Sequence, residues 1–383
     1  MMGLSSVGQV VAASIVLSHG AWWTVLSVAA LRRPSTKVGP ARLAPLVVLV
    51  PAHNEEALIG QTVDSLVAAA AKLDARILVI ADNCSDATAE LAAEHGAGVL
   101  RRDDASHRGK PFALQFALSS LRSDPPAAVA VVDADTLVDS NFVDAISERL
   151  ASGSRAVQVH YAAGPASTDL GRLRRLAFLL VHWSRPLGAS RLGLGVGLKG
   201  NGMAFDWAAA NIALAGAGLT EDAAATLELA VRGIHVDYEP RTTVRGFMAQ
   251  TYAEARTQDS RWEGGRTRLV FRAIRSAIPA FARGDIAAAG AAVEVGTLPL
   301  SLLLFVGTGA AVAGLVGVGS ATLGIAGVAS IGLYIVLGLA AARPESRDLR
   351  AIASAPGFLA HKAAVYGRIV AGRTGASWQR TAR

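Results

Sequence analysis

Two aspartates that flank a single residue, Asp133-Ala134-Asp135, are the part of this sequence best suited to holding a metal ion. Mg²⁺ and Mn²⁺ bind through one or two carboxylates when substrate phosphates complete the coordination shell. A D-x-D tripeptide alone is weak evidence, because it also occurs by chance at surface turns. This one directly follows the apolar run 129–132, as expected at the end of a buried strand. The pattern predicts a divalent-cation site for a phosphorylated substrate.

Two further acidic turns follow apolar runs in the same way. The run 46–50 leads into Pro51-Ala52-His53-Asn54-Glu55-Glu56, and the run 77–80 is followed by Asp82-Asn83-Cys84-Ser85-Asp86. Ser85 and Asp86 are predicted to cap the next helix, which is the ordinary role of such residues. Ligands of open α/β sheets bind beyond the carboxyl ends of the strands. Three acidic turns at such ends therefore predict one ligand-binding crevice.

A basic tripeptide, Arg108-Gly109-Lys110, stands before the helix-like stretch 111–122. Backbone N–H groups at a helix start and charged side chains both bind phosphate oxygens. We interpret Lys110 and the neighbouring backbone as ligands of a diphosphate. An ordinary solvated loop is the alternative interpretation.

The three apolar runs alternate with alanine-rich stretches of helical character at 56–73, 86–95 and 111–122. Strands that are buried on both faces are short and apolar throughout, and alternation of strand and helix is typical of a parallel sheet. We therefore predict an α/β domain with a mainly parallel, Rossmann-like sheet.

Two long regions lack charged residues and are long enough to cross a bilayer, which takes about 20 helical residues per crossing. The first is Val7–Leu31, and no Lys or Arg precedes Arg32, which argues against a cleaved signal peptide. The second, 295–342, has room for two crossings, with a turn at Gly317-Val318-Gly319-Ser320. A buried helical hairpin in a soluble core is the alternative for this second region.

Basic residues flank these regions, and cytoplasmic loops are rich in Lys and Arg. The flanking residues are Arg32, Arg33, Lys37, Arg283, Arg343, Arg347 and Arg350. We predict a three-span protein of the cytoplasmic (inner) membrane, with its N-terminus outside and its catalytic part and C-terminus in the cytoplasm.

The stretch 266–283 is predicted to be an amphipathic helix in the headgroup layer of the membrane. At 100° per residue, the apolar Val270, Ile274, Ile278 and Phe281 lie on one face, and Arg268, Arg272, Arg275 and Arg283 lie on the opposite one. Basic amphipathic helices beside a membrane typically lie in that layer. Pro279 is expected to kink the helix. A solvated charged face is the alternative.

The composition agrees with partial burial in lipid. Hydrophobic residues make up 52% and charged residues 17% of the 383, and the mean hydropathy is +0.38. The net charge of +7 is compatible with nucleic acid, an anionic membrane or phosphorylated substrates, and does not choose among them. The single cysteine, Cys84, excludes an internal disulfide and favours a reducing compartment.

With these motifs, residues 45–262 resemble the family-2 inverting glycosyltransferases of the GT-A fold, a group that includes cellulose, hyaluronan and chitin synthases and ceramide glucosyltransferase. Gly200-Asn201-Gly202-Met203 is similar to the segment near the acceptor pocket of these enzymes. Thr220-Glu221-Asp222 resembles their TED motif, and Gln258-Asp259-Ser260-Arg261-Trp262 resembles QxxRW. The motifs occur in the family's order at plausible spacing, which a single tripeptide could not establish.

The resemblance implies roles for these residues. Asp82 would contact the nucleoside base, Asp133 and Asp135 would hold Mg²⁺ or Mn²⁺, and Asp222 would be the general base. The residues expected at the nucleotide sugar are Pro51, Ala52, Glu55, Asp82, Lys110, Asp133, Ala134, Asp135 and Arg261. The residues expected at the acceptor are Gly202, Gln258 and Trp262.

We predict a non-processive glycosyltransferase that moves a sugar from a nucleotide sugar, in the first instance a UDP-sugar, to a lipid or lipid-linked acceptor at the cytoplasmic membrane face. Two alternatives are a processive polysaccharide synthase and a non-catalytic membrane sensor of nucleotide sugars. The intact TED and QxxRW residues argue against the sensor. We expect no nucleic-acid partner, and the oligomeric state stays open.

The sequence predicts five segments in chain order. They are an N-terminal anchor and linker (1–44), the glycosyltransferase domain (45–262), an interfacial helix with its connector (263–294), a transmembrane hairpin (295–342) and a basic cytoplasmic tail (343–383).

Overall fold

The computed structural model describes residues 3–34, 39–216 and 221–371, with the side chains at 221, 253 and 255–268 outside the description. Within these residues one mixed sheet carries the middle of the chain. Its strands are β1 (Leu46–Ala52), β2 (Ala75–Asp82), β3 (Gly98–Arg102), β4 (Ala128–Val131), β5 (Thr136–Val138), β6 (Ala156–Ala163), β7 (Met203–Asp206) and β8 (Val236–Gly246).

The strand order is β3-β2-β1-β4-β7-β6-β8-β5. The pairs β1–β2, β1–β4, β2–β3 and β6–β8 are parallel, whereas β4–β7, β6–β7 and β5–β8 are antiparallel. The prediction of a mainly parallel α/β sheet is confirmed. The predicted strands β1, β2 and β4 lie side by side, so their carboxyl ends share one edge.

Helices cover both faces of this sheet and form the two ends of the chain. They are α1 (Leu4–Ala30), α2 (Ile59–Ala70), α3 (Thr88–Glu94), α4 (Lys110–Ser120), α5 (Phe142–Ala151), α6 (Asp169–Leu179), α7 (Arg185–Arg191), α8 (Trp207–Ala213), α9 (Glu221–Val231), α10 (Tyr252–Ala282), α11 (Ile286–Gly296), α12 (Leu300–Leu315), α13 (Ala321–Ala342), α14 (Ser346–Arg350) and α15 (Ala355–Val370). A π-helical turn, Leu180–Ser184, joins α6 to α7.

The hydrophobic core has two layers because successive strand residues point to opposite faces. In β1, Leu46, Val48 and Val50 pack in the layer of α2 and α5. Val47 and Leu49 pack in the other layer, with α4 and α8. This second layer continues without a break into the apolar helices at the chain ends, through residues such as Trp23 and Tyr334. The sheet and those helices therefore share one core.

Two helices, α1 and α13, are long and apolar enough to cross a membrane. They pack closely, and a Cβ atom added at Gly20 would lie 2.8 Å from the backbone carbonyl carbon of Ser330. Small residues allow such close approach of membrane helices. The pair α11 and α12 counts as a third span only if it is taken as one broken segment, because the two helices are bent by 70°. In place of the first of the two crossings predicted within 295–342, the structure has this bent pair, Ile286–Gly296 and Leu300–Leu315.

The predicted amphipathic stretch lies within α10, which runs as one helix through Pro279. Four large apolar side chains of this helix are exposed: Phe271 (78%), Ile274 (49%), Ile278 (65%) and Phe281 (73%). Its alanines Ala273 and Ala280 are buried against neighbouring helices. The helix therefore packs through small residues and presents an apolar stripe outward.

Candidate active site at the carboxyl edge of the sheet

The turns after β1 and β2 brace each other. Pro51 and Ala52 pair in register with Ile80 and Ala81. His53 Nδ1 lies 2.7 Å from the carbonyl oxygen of Asp82. The backbone N–H of Glu55 donates to Thr88 Oγ1 at 2.8 Å. Asp86 accepts from the backbone N–H of Thr88, the first residue of α3, at 3.1 Å. These contacts hold the first acidic turn at the sheet edge.

Asp82 is buried and both of its carboxylate oxygens are engaged. Oδ1 accepts from Arg102 Nη1 at 2.6 Å, and Oδ2 accepts from the backbone N–H of Gly109 at 3.2 Å. The Gly109 N–H group, which was predicted to face a diphosphate, therefore points at Asp82. Gly109 has φ +115°, a conformation open to glycine, which lets the chain turn into α4 at this contact.

The rim beside Asp82 is organised by Asp104. This carboxylate accepts from Arg102 Nη2 at 3.0 Å, and hydrogen bonds from Ser106 and His107 hold its pKa well below the usual range. The backbone N–H of Asp104 donates to Asn83 Oδ1 at 2.9 Å. The rim is thus tied to the turn after β2.

Lys110 joins the second and third acidic turns. Its ammonium contacts Asp133 Oδ1 and the carbonyl oxygen of Gly200. The backbone N–H of Asp133 donates to Asn201 Oδ1 at 3.1 Å, and Asn201 is only 1% exposed. The side chain of Asn201 donates in turn to Thr136 Oγ1 at 2.8 Å. One network therefore positions the first aspartate of the D-x-D motif.

The three residues of the D-x-D motif differ in burial. Ala134 is buried and its carbonyl oxygen accepts from Thr62 Oγ1 at 2.9 Å, whereas Asp133 and Asp135 are half-buried. Among the described residues, no group of three or more His, Cys, Asp and Glu side chains could hold a metal ion. Two carboxylates with oxygen donors alone fit Mg²⁺ or Mn²⁺ that takes its other ligands from a substrate diphosphate and water.

Asp222 lies close to the same network, at Gly200. It lies in the first turn of α9, and its Oδ1 accepts from the backbone N–H of Ala223 at 2.8 Å. Its Oδ2 would lie 3.6 Å from a Cβ atom added at Gly200. Gly200 therefore contacts Lys110 through its carbonyl oxygen and lies close to Asp222. The preceding Thr220 lies outside the described residues.

The predicted acceptor residues are placed differently from one another. Gly202 is buried with φ +64°, and a Cβ atom there would lie 2.5 Å from Val159 and 2.7 Å from Val244. Its glycine is thus required by strand packing, and the acceptor contact stays a prediction. Gln258, Arg261 and Trp262 belong to α10, and their side chains are outside the described part. Their roles also stay predictions.

Sequence reasoning missed Gln158, which is 0% exposed in β6. Its Nε2 donates to the Asn201 carbonyl oxygen at 2.8 Å, and its Oε1 accepts from the Lys199 N–H at 2.8 Å. A glutamine within the apolar run Ala156-Val157-Gln158-Val159 is the signal that could have found it, because a buried amide needs partners.

His160 lies two residues further along β6 and packs its ring against Trp183, with ring centroids 4.7 Å apart. Burial, with a smaller contribution from the charge of Arg245, lowers the pKa of His160 to about 3. The imidazole is therefore neutral at physiological pH.

The fold and this geometry can now be compared with known proteins. A solved mannosyltransferase, PcManGT from Pyrobaculum calidifontis in complex with GDP-Man and Mn²⁺, is 16% identical, with 94% of this chain and 99% of that chain covered and a TM-score of 0.53. Glucosyl-3-phosphoglycerate synthase from Mycobacterium tuberculosis is 20% identical over 62% of this chain and 83% of that chain, with a TM-score of 0.41. Only the first likeness supports an argument, and it concerns the fold alone.

No curated protein matches the chain in sequence. The model of the family described as "Glycosyltransferase like family 2" matches residues 44–265, which is more than half of the 383 residues. The matched segment contains the whole sheet, Asp133, Asp135 and Asp222. The chain therefore belongs to glycosyltransferase-like family 2 and is a glycosyltransferase with a GT-A-like sheet.

Proposed function

We propose that the protein transfers a sugar from a nucleotide sugar to a hydroxyl group of a lipid or lipid-linked acceptor at the cytoplasmic face of the membrane. The observation that carries this proposal is the meeting of Asp133, Lys110 and Asp222 around Gly200. A displacement at a sugar–phosphate bond needs a positively charged group and two carboxylates in different surroundings. Lys110, Asp133 and Asp222 are groups of these kinds.

On the donor side, the leaving group is a nucleoside diphosphate whose negative charge increases as the sugar departs. Asp133 and Asp135 would hold Mg²⁺ or Mn²⁺, which supplies neutralisation of that charge. Lys110 is held beside Asp133 and can add a positive charge at the same place. The solved structure of matching fold contains GDP-Man and Mn²⁺, which supports this donor class and cofactor. Arg261 is proposed as a further diphosphate ligand.

On the acceptor side, Asp222 would take the proton of the attacking hydroxyl group. A general base must face the anomeric carbon from the side opposite to the leaving group. Gly200 contacts the Lys110 ammonium and lies close to Asp222, so the proposed base and the proposed donor site are neighbours. Gln258 and Trp262 are proposed at the acceptor.

The membrane side of the proposal rests on three features. Helices α1 and α13 can cross a bilayer, α10 exposes an apolar stripe, and Arg272 on the same helix is half exposed, at 52% of its side chain. A basic amphipathic helix binds the headgroup layer of an anionic membrane. An active site beside such a helix meets acceptors that are themselves held in the membrane.

Non-processive transfer is supported by the small number of spans. A glycan that leaves through the protein needs a polar path across about 30 Å of hydrocarbon, walled by helices. The described part of the chain offers two spans, or three with the bent pair. These spans are strongly apolar, with Glu294 near the bend of the α11–α12 pair and His19 within α1.

The experiment is a donor and product assay with the purified protein in lipid. A panel of UDP- and GDP-sugars with Mn²⁺ is screened for release of nucleoside diphosphate, and the labelled product is separated by size. A short glycolipid supports the proposal. Long glycan chains made by this protein alone would favour a polysaccharide synthase, and donor binding without release would favour a sensor.

The topology has a separate test. In a Cys84→Ser background, a reporter cysteine near Asp104, on the rim of the site, should resist impermeant thiol reagents in intact cells and react after lysis. Ready labelling in intact cells would contradict a cytoplasmic active site. A reporter at Gly3, which precedes α1, should label in intact cells and serves as the control.

A further inference from the structure

The segment between α7 and β7 connects the active site to the apolar helices. We call residues 194–202 the bridging loop. At one end it lies on α11, and at the other it contacts Lys110 and lies close to Asp222. Each end is fixed by contacts of the loop backbone, so that a shift at one end is transmitted along a short stretch of chain.

The contact with α11 is close. The backbone N–H of Gly195 donates to the Ala287 carbonyl oxygen at 3.1 Å, and a Cβ atom added at Gly195 would lie 2.7 Å from that oxygen. A Cβ atom at Gly290 would lie 2.8 Å from Leu194 Cβ. Two glycines, one from each element, therefore let the loop rest directly on the helix.

The carboxylate of Glu294, in α11, binds the bridging loop at two points. Oε2 accepts from the backbone N–H of Gly197 at 2.8 Å, and Oε1 contacts the Lys199 ammonium. The Lys199 side chain is 4% exposed and that of Glu294 is 12% exposed. A buried ion pair of this kind has defined geometry, and removal of one partner leaves the other charge uncompensated.

The far end of the loop touches the proposed catalytic groups. The backbone N–H of Leu198 donates to Thr226 Oγ1 at 2.9 Å, and Thr226 Oγ1 donates to the Asp222 carbonyl oxygen at 2.9 Å. Gly200, the residue after Lys199, binds the Lys110 ammonium and lies against Asp222. One peptide unit thus separates the residue held by Glu294 from the residue that contacts Lys110 and lies near Asp222.

Glu294 also lies at the bend of the α11–α12 pair. Its carbonyl oxygen accepts from Thr297 Oγ1 at 2.8 Å, and the chain leaves α11 at that point to enter α12 at an angle of 70°. The position of the bent pair α11–α12 relative to the rest of the protein therefore determines the position of the Glu294 carboxylate. Because the Glu294 carboxylate contacts Gly197 and Lys199 directly, a shift of this carboxylate also shifts the bridging loop.

We propose that Glu294 is a positioning residue for glycosyl transfer, which couples the seating of the bent pair α11–α12 to the alignment of Asp222 with the donor through Lys199 and the bridging loop. This rests on the proposed function, because it takes Asp222 and Lys110 as parts of the transfer machinery. Misplacement of a catalytic group by about 1 Å can lower a rate by about 10²-fold. Turnover should therefore depend on Glu294 although it touches no substrate.

The test compares Glu294→Gln with Asp285→Asn in protein reconstituted in lipid. Asp285 caps the same helix through the Ala288 N–H at 3.0 Å, and asparagine can replace it as a cap. Glu294→Gln should lower kcat by about tenfold to hundredfold, the range expected from a misalignment of 1 Å or less, with KM for the donor nearly unchanged. Hydrogen exchange of peptides covering 194–202 should rise in this variant, while both readouts stay at wild-type values in Asp285→Asn.

A double-mutant cycle with Lys199→Gln sharpens the test. The double variant should be no slower than the worse single variant, because the two residues act as one unit. Unchanged turnover in Glu294→Gln, or faster exchange with normal kcat, would overturn the proposal. If the glutamine variant does not fold, Glu294→Asp, which keeps the charge but shortens its reach, must show the same split of kcat from KM.

The two proposals fail in different ways. If the wild-type protein releases no nucleoside diphosphate, the proposed function is wrong, yet hydrogen exchange still reports whether Glu294 orders the bridging loop. If the wild type is active and the exchange is unaffected by Glu294→Gln, the coupling is wrong and the proposed function stands.

Discussion

The two sides of the crevice are built differently. The proposed donor side consists of turns that follow neighbouring strands, and Asp82 and Asp133 are held by partners within the sheet and α4. The proposed acceptor side consists of Asp222 and the bridging loop. It is held by Gln158 beneath the loop and by Glu294 from the apolar helices.

This difference separates two kinds of positioning. Parallel strands bring their carboxyl ends to one edge, so the donor side follows from the sheet itself. The acceptor side has to be assembled from segments far apart in sequence, and one of them belongs to the bent pair α11–α12. We expect changes on the donor side to alter donor binding and changes on the acceptor side to alter turnover alone.

The largest effect is expected from Asp222→Asn. Turnover should fall by about 10²–10⁴, the usual contribution of a positioned general base, while donor affinity stays nearly normal. The replacement is almost isosteric and keeps an oxygen for the Ala223 N–H, so the start of α9 should persist. Turnover and binding of nucleoside diphosphate are measured in parallel. Equal loss of both would contradict the assignment of Asp222 to the acceptor side.

Asp135→Ala should act on the donor side. Donor affinity should fall by roughly tenfold to hundredfold, as for the loss of one charge-assisted contact, and turnover should fall with it. Excess EDTA should abolish wild-type activity, and Mn²⁺ or Mg²⁺ should restore it. Titration of nucleoside diphosphate with and without Mn²⁺ measures the binding effect. Full activity in EDTA would remove the metal from the mechanism.

The smallest effect concerns the support beneath the acceptor side. Because the pKa of His160 is about 3 in the folded protein and near 6.5 when unfolded, the unfolded chain binds the extra proton first. Stability from His160 is complete above about pH 6.5 and is lost as the pH falls towards 3, on the order of 1–2 kcal/mol between pH 7 and 5.

His160→Phe should reduce this acid sensitivity, because the Nε2 atom of His160 has no hydrogen-bond partner among the described residues and the ring packs on Trp183. The thermal midpoint is followed from pH 7 to pH 5 in both proteins. An equal fall in the two would show that other groups, such as the nearby Asp139, dominate the acid response.

The amino-acid sequence by itself determined the parts whose signal is local. Apolar runs identified β1, β2 and β4, and the residue types after them identified Asp82 and Asp133. Charge-free stretches identified α1 and α13, because a bilayer crossing needs a continuous apolar segment. The apolar stripe of α10 that includes Phe281 was likewise identified from the periodic spacing of its residues. Each of these follows from neighbours in the chain.

Other strands were missed because they are short or mixed in polarity. β5 has three residues, and β8 alternates buried and exposed positions with Glu239 and Arg241 within it. These two residues form an ion pair, which a search for apolar runs passes over. Pairing with β6 and with β5 makes β8 a strand of the sheet.

Tertiary structure alone decided how the site is closed. It turned the Gly109 N–H towards Asp82, brought Gly200 close to both Lys110 and Asp222, and set Glu294 against Lys199 across 95 positions of sequence. No local pattern encodes such contacts, because they depend on how α9 and α11 pack on the sheet. The sequence determined the chemical types of these residues, and the packing of distant helices determined how they are aligned.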